Sequence, residues 1–278
     1  MTTLPSIIQV DEFRSILGQP NLVILDARAG ANAKALFLEQ HLKNARFIDL
    51  DVDLAAPVTN ASLGGRHPLP DLFDFAKTLS DLGIKEESHV VIYDDKGGAN
   101  AAARCWWMLK AFGIEKVQVL NGGYQKLQDF DKSSGEEKVH ASTIKIPDQW
   151  KLPTIGINQV EESLVENKSV VIDVRDAYRF IGESEPIDPV AGHIPGAINI
   201  PLTENLNVNG EFLTSNELKE KYETYFQNQE VIIHCGSGVT ACHTILAMDY
   251  AGLPIPKLYV GSWSEWCRSG KTIATGDN

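Results

Sequence analysis

Short apolar runs recur along the chain, separated by longer stretches of mixed character. Val23-Ile24-Leu25, Val90-Val91-Ile92-Tyr93, Val170-Val171-Ile172 and Val231-Ile232-Ile233 are continuous rather than alternating, and they are rich in β-branched residues. Runs of this length and kind read as strands buried on both faces. The stretches between them carry helical patterns. Strand and helix in alternation predict an α/β fold, a parallel sheet with helices on both faces. Ligands in such folds bind outside the carboxyl ends of the strands.

The pattern occurs twice. Val23-Ile24-Leu25-Asp26-Ala27-Arg28 matches Val170-Val171-Ile172-Asp173-Val174-Arg175, each an apolar strand ending in Asp-x-Arg. His41-Leu42-Lys43-Asn44-Ala45 matches His193-Ile194-Pro195-Gly196-Ala197, and Val119-Leu120-Asn121-Gly122-Gly123-Tyr124 parallels Tyr259-Val260-Gly261-Ser262-Trp263. An internal repeat of this length predicts two domains of ordinary size. We place them at residues 1–135 and 155–278, with a linker over 136–154 that follows the polar loop Lys132-Ser133-Ser134-Gly135. Thr143 to Ile146 is expected to be an extended strand.

Composition narrows the chemistry. The 278 residues are 43% hydrophobic and 22% charged, as in a globular protein, and no run of about 18 apolar residues suggests a membrane span. The opening MTTLPSIIQVDEF lacks a basic stretch followed by a long apolar core, so no signal peptide and a cytoplasmic location are expected. A net charge of −12 argues against a nucleic-acid partner. It also requires any anionic ligand to find a locally positive pocket. The four cysteines, Cys105, Cys235, Cys242 and Cys267, form no CxxC pair and no zinc-ligand spacing with histidine, so neither a metal nor a disulfide framework is expected.

A single reactive thiol remains open. Cys235 directly follows the run Val231–His234, and a helix of small residues begins a few positions on. In Cys235-Gly236-Ser237-Gly238-Val239-Thr240 the glycines let the backbone aim several N–H groups at one point, and the helix N-terminus adds partial positive charge. Both favour negative charge on the sulfur. The competing reading is a buried structural cysteine at a strand end.

This loop resembles the active-site loop of mercaptopyruvate sulfurtransferases, members of the rhodanese superfamily. The likeness extends over nearly the whole chain through the two Asp-x-Arg strand ends, Gly192-His193-Ile194-Pro195-Gly196-Ala197 and Gly261-Ser262-Trp263-Ser264-Glu265-Trp266. It implies two tandem rhodanese-like domains, each a five-stranded parallel sheet flanked by helices, with catalysis confined to the second. The first copy has Asp94-Asp95-Lys96-Gly97-Gly98 where the cysteine loop would be, and aspartate cannot carry sulfane sulfur.

The resemblance implies further roles. Arg179 would hold the donor's carboxylate, or the sulfonate end of thiosulfate. Gly236, Ser237, Gly238, Val239 and Thr240 would line the donor. Ser237, His67 and Asp51 would form a proton relay, with Asp49 and Asp53 as competitors for the third place. Relatives usually carry a second arginine after a Glu-Pro pair; here Glu185-Pro186 is followed by Ile187-Asp188-Pro189-Val190. Arg28, Arg175, His234 and Cys242 read as structural. The expected function is transfer of sulfur from 3-mercaptopyruvate, through a Cys235 persulfide, to a thiol, cyanide or thioredoxin-like acceptor without a cofactor. Alternatives are thiosulfate as donor to the same cysteine, and a non-catalytic rhodanese-like binding protein. A Cys-x5-Arg phosphatase loop is disfavoured by alanine at position 241.

Overall fold

A computed structural model describes residues 4–227 and 229–277. The chain forms two compact units. The first takes the chain up to Ala56, Pro70–Lys151 and Val208–Phe212; the second takes Pro57–Leu69, Leu152–Asn207 and the chain from Leu213 on.

In the first unit, strands β1 (Ile7–Ile8), β2 (Leu22–Asp26), β3 (Ala45–Phe47), β4 (His89–Tyr93) and β5 (Lys116–Leu120) form a sheet in the order β1-β5-β4-β2-β3. Every neighbouring pair is parallel. The second unit repeats this with β6 (Thr154–Ile155), β7 (Ser169–Asp173), β8 (Ile198–Asn199), β9 (Glu230–His234) and β10 (Lys257–Tyr259), ordered β6-β10-β9-β7-β8 and again all parallel. The two sheets therefore have the same topology, with β4 and β9 in corresponding central places.

Helices α1 (Val10–Ile16), α2 (Ala33–Glu39), α3 (Leu72–Asp81) and α4 (Ala101–Phe112) accompany the first sheet; α5 (Ile157–Val165), α6 (Ala177–Phe180), α7 (Ser215–Tyr222), α8 (Ala241–Tyr250) and α9 (Ser262–Trp266) accompany the second. Most of α4 and α8 is buried on all sides, in keeping with their small and apolar residues. Ile8, Phe13, Ile24, Phe37, Val91 and Leu120 share one core; Val160, Val171, Ile194, Ile232 and Trp263 share the other.

The Asp-x-Arg strand ends build the same anchor in both units. Asp26 accepts from the backbone N–H, Nε and Nη2 of Arg28, and Asp173 does the same for Arg175. Nη2 of each arginine then donates to a distant carbonyl, that of Gln40 or Gly192. His41 stacks on Phe37 at 3.9 Å, and His193 on Phe180 at 3.8 Å. The residues that made the repeat visible thus close each domain.

One expectation fails. Thr143 to Ile146 forms no strand. The preceding Ser142 donates its N–H to the Ser80 carbonyl at 3.0 Å and its hydroxyl to the Ile84 carbonyl, so this stretch is tied down from its edge without pairing in a sheet.

Candidate active site

Cys235 is the residue after β9, so it leaves the carboxyl end of the central strand of the second sheet, and α8 starts six residues later. The loop between them is fixed from one side by α9. The carbonyls of Cys235 and Gly236 accept the N–H groups of Trp263 (3.0 Å) and Ser264 (2.8 Å), and the Cys235 N–H donates to Ser262 Oγ (3.2 Å). In a trans peptide the N–H points opposite the preceding carbonyl. The N–H groups of Gly236 and Ser237 therefore face away from α9. No backbone carbonyl among the described residues accepts from Gly236, Ser237, Val239 or Thr240. Cys235 itself is only 1% exposed.

The matching loop of the first unit shows what such a turn accommodates. Asp26 pairs in register with Tyr93, and Asp173 pairs with His234, which places Asp94 and Cys235 at equivalent positions. The buried Asp94 carboxylate receives the N–H groups of Lys96 (2.9 Å), Gly98 (2.7 Å), Asn100 (3.2 Å) and Ala102 (3.2 Å). The first loop is closed around its own anion. The second presents a thiol at that place.

Arginines surround the cysteine loop. Arg175, fully buried, lies over the Trp263 ring at 4.6 Å and donates Nη1 to Glu185 (3.2 Å). Burial pulls its pKa down, but Asp173, Glu185 and a negative charge on Cys235 together raise it. Arg179, at the end of α6, is held by Glu185 through Nε (3.0 Å) and Nη2 (2.7 Å). Burial pushes Glu185 up, yet Arg179 and the N–H groups of Asp188 and Ile187 hold it below the usual carboxylate range. Asp188, also buried, accepts from Arg268 (2.7 Å) and Arg66 (3.2 Å). These guanidinium groups provide the local positive field that the net charge of the chain lacks.

His67 and Ser237 meet: His67 Nδ1 lies 2.7 Å from Ser237 Oγ. The strap that carries His67, Pro57–Leu69, belongs to the second unit despite its place in the sequence. Asp51 belongs to the first unit, in the turn after β3, where its N–H donates to Asp49 Oδ1 at 2.8 Å. Asp49 and Asp53 lie in the same turn, with Asp53 accepting the Asp49 N–H. His234 is buried against Asp173; burial lowers its pKa against the opposing pull of that carboxylate, as suits a neutral packing residue. Cys242 is buried, its thiol 3.4 Å from the Gly238 carbonyl. Arg66, Glu185, Asp188 and Ser262 escaped the sequence reading as parts of this site.

Central cysteine, anion-holding loop and doubled sheet define a class. The chain belongs to the rhodanese-like domain family, whose model matches residues 9–129 and 157–269. It is a sulfurtransferase. The Pseudomonas aeruginosa protein named "Probable 3-mercaptopyruvate sulfurtransferase" is 38% identical over 283 aligned residues, 98% of each chain. The 3-mercaptopyruvate sulfurtransferase of Escherichia coli K12 is 33% identical, covering 90% of each. The crystal structure of SseA from Escherichia coli, a member of the 3-mercaptopyruvate sulfotransferases, matches with a TM-score of 0.78 and 31% identity over 94% of this chain and all of that one. Among the described residues, no helix is long and apolar enough to cross a membrane.

Proposed function

We propose that the chain moves sulfane sulfur from 3-mercaptopyruvate, through a persulfide on Cys235, to a thiol, cyanide or a thioredoxin-like protein. The observation that carries the reading is the pair of equivalent loops: one folds four N–H groups around the Asp94 carboxylate, and the other has a cysteine at that place. A persulfide anion is the sulfur counterpart of the carboxylate.

The Cys235 thiolate attacks the donor sulfur. An S–S bond forms, the C–S bond breaks, and its electron pair leaves on carbon as the enolate of pyruvate, which takes up a proton. An acceptor thiol or cyanide then attacks the outer sulfur and releases the Cys235 thiolate, completing a two-step exchange. No external oxidant is consumed. Loop N–H groups stabilise the anionic sulfur, and His67, hydrogen-bonded to Ser237, moves the proton between the thiol and the enolate. Arg179 binds the donor's carboxylate, while Gly236, Ser237, Gly238, Val239 and Thr240 line it. For Asp51 the proposal rests on the family resemblance alone, and Asp51→Asn tests it. A cytoplasmic setting would supply the reduced thiols.

Intact mass after exposure to 3-mercaptopyruvate is the test. The wild type should gain one sulfur atom, lose it on addition of cyanide, and release pyruvate, whereas Cys235→Ser should do none of these. Turnover by Cys235→Ser at the wild-type rate would reject the mechanism. Faster turnover with thiosulfate would replace the donor.

A further inference from the structure

We infer that Ser262, the first residue of α9, is a positioning residue for the chemistry at Cys235: its backbone is held in a left-handed conformation so that its hydroxyl grips the Cys235 N–H. The inference rests on the reading of Cys235 as the sulfur-carrying residue and adds a residue to that site.

The backbone of Ser262 is unusual. Its φ is +53°, in a region that penalises any residue with a Cβ. The other described non-glycine residues with positive φ are Asn44 and Asn167, of the type that tolerates it best. The first unit supplies the comparison. The Tyr124 N–H donates to the Asp94 carbonyl (2.8 Å) as the Trp263 N–H donates to the Cys235 carbonyl (3.0 Å), so Gly123 is the counterpart of Ser262. Gly123 has φ +62°, and a Cβ on it would lie 2.4 Å from the Asp94 carbonyl oxygen. The turn is therefore suited to glycine. The unit with the cysteine instead makes room there for a fully buried serine. A strained residue beside the thiol loop, and a glycine at its copy, point to function rather than folding.

The hydrogen bonds show what the strain achieves. A hydroxyl has one proton to donate. Ser262 Oγ donates it to the Tyr259 carbonyl (2.8 Å), which leaves its lone pairs to accept the Cys235 N–H (3.2 Å). The hydroxyl thereby ties together the ends of the neighbouring strands β10 and β9. Cys235 is held at both of its peptide groups, the N–H by Ser262 and the carbonyl by Trp263, while the His234 carbonyl accepts the Val174 N–H (3.0 Å). With both peptide planes fixed, the direction in which the thiol leaves the backbone is fixed as well. Reaction rates depend steeply on such placement. Glycine would give the same turn without strain, but it has no oxygen to hold the Cys235 N–H.

Two variants separate the hydroxyl from the backbone. Ser262→Gly and Ser262→Ala both lose the oxygen, but only glycine relieves the left-handed conformation. Iodoacetamide alkylates the Cys235 thiolate with loss of iodide, and peptide mass mapping gives the rate. That rate should fall about tenfold in both variants, the scale of one hydrogen bond. The kcat for 3-mercaptopyruvate should fall with it while KM stays near the wild-type value. Ser262→Gly should nevertheless unfold at a higher urea concentration than Ser262→Ala. If Ser262 served folding alone, the more stable variant would be the more reactive, and that result would overturn the inference. So would alkylation at the wild-type rate in folded Ser262→Gly. If neither variant folds, hydrogen exchange of the wild type decides. The Cys235 N–H should be protected as strongly as the Trp263 N–H, and free exchange would reject the role. If alkylation depends on Ser262 yet the wild type never turns over 3-mercaptopyruvate, the positioning role stands and the donor assignment fails.

Discussion

The two glycines of the cysteine loop are needed for unrelated reasons. Gly238 has φ +75°, and a Cβ on it would meet the Val260 carbonyl oxygen at 2.5 Å, a backbone atom that cannot swing aside. Gly236 needs no such conformation; the space beside its Cα is where Arg66 and Arg179 converge. Gly238→Ala should therefore cost about 2 kcal/mol through backbone strain and collision, read as a lower urea midpoint at unchanged m-value. A variant as stable as the wild type would show that the loop can refold around the methyl group. Both glycines were visible in the sequence as a flexible turn, because that signal is local. The place of Arg66 beside that loop was not, because the strap that carries it, Pro57–Leu69, joins a unit that otherwise begins at Leu152. No spacing rule predicts that return.

Among the elements, the strands β2, β4, β7 and β9 were legible as apolar runs, because central strands of a parallel sheet are buried on both faces. The edge strands β1 and β6 have two residues each, too few to show any period. The loops after β4 and β9 are the more informative pair. With Asp94 absent, the N–H groups of Lys96, Gly98, Asn100 and Ala102 lose their shared acceptor in a buried place. Asp94→Ala should thus destabilise the protein by about 3 kcal/mol, the cost of orphaned buried donors, and Asp94→Asn, which keeps one oxygen acceptor, by less. Urea unfolding of the two variants decides it. Equal midpoints for wild type and Asp94→Ala would mean that the loop donors find other acceptors, and would weaken the analogy on which the Cys235 proposal rests.

Across the whole molecule, a net charge of −12 coexists with guanidinium groups gathered at one loop, and the carboxylates that position them set the response to acid. Against burial, the charge and hydrogen bonds of Arg175 hold Asp173 below the usual carboxylate range, as Arg179 does Glu185, so their stabilisation persists at neutral pH and fades only below about pH 4. The histidines act earlier. Burial in α8, with a smaller push from Lys221, drives His243 down to about 3, and burial lowers His234 as well. Because the unfolded chain binds a proton near pH 6.5 that the folded chain refuses, stability present above that pH is lost as the pH falls toward 3. The loss is about 1.4 kcal/mol per pH unit for each histidine that stays neutral when folded. Unfolding free energies from urea titrations at pH 7, 6, 5 and 4 should fall steeply for the wild type and less steeply for His243→Gln, by the slope of about one proton. Parallel curves would mean that His243 takes up its proton within the fold, and that α8 opens to water well before the carboxylates behind the arginines let go.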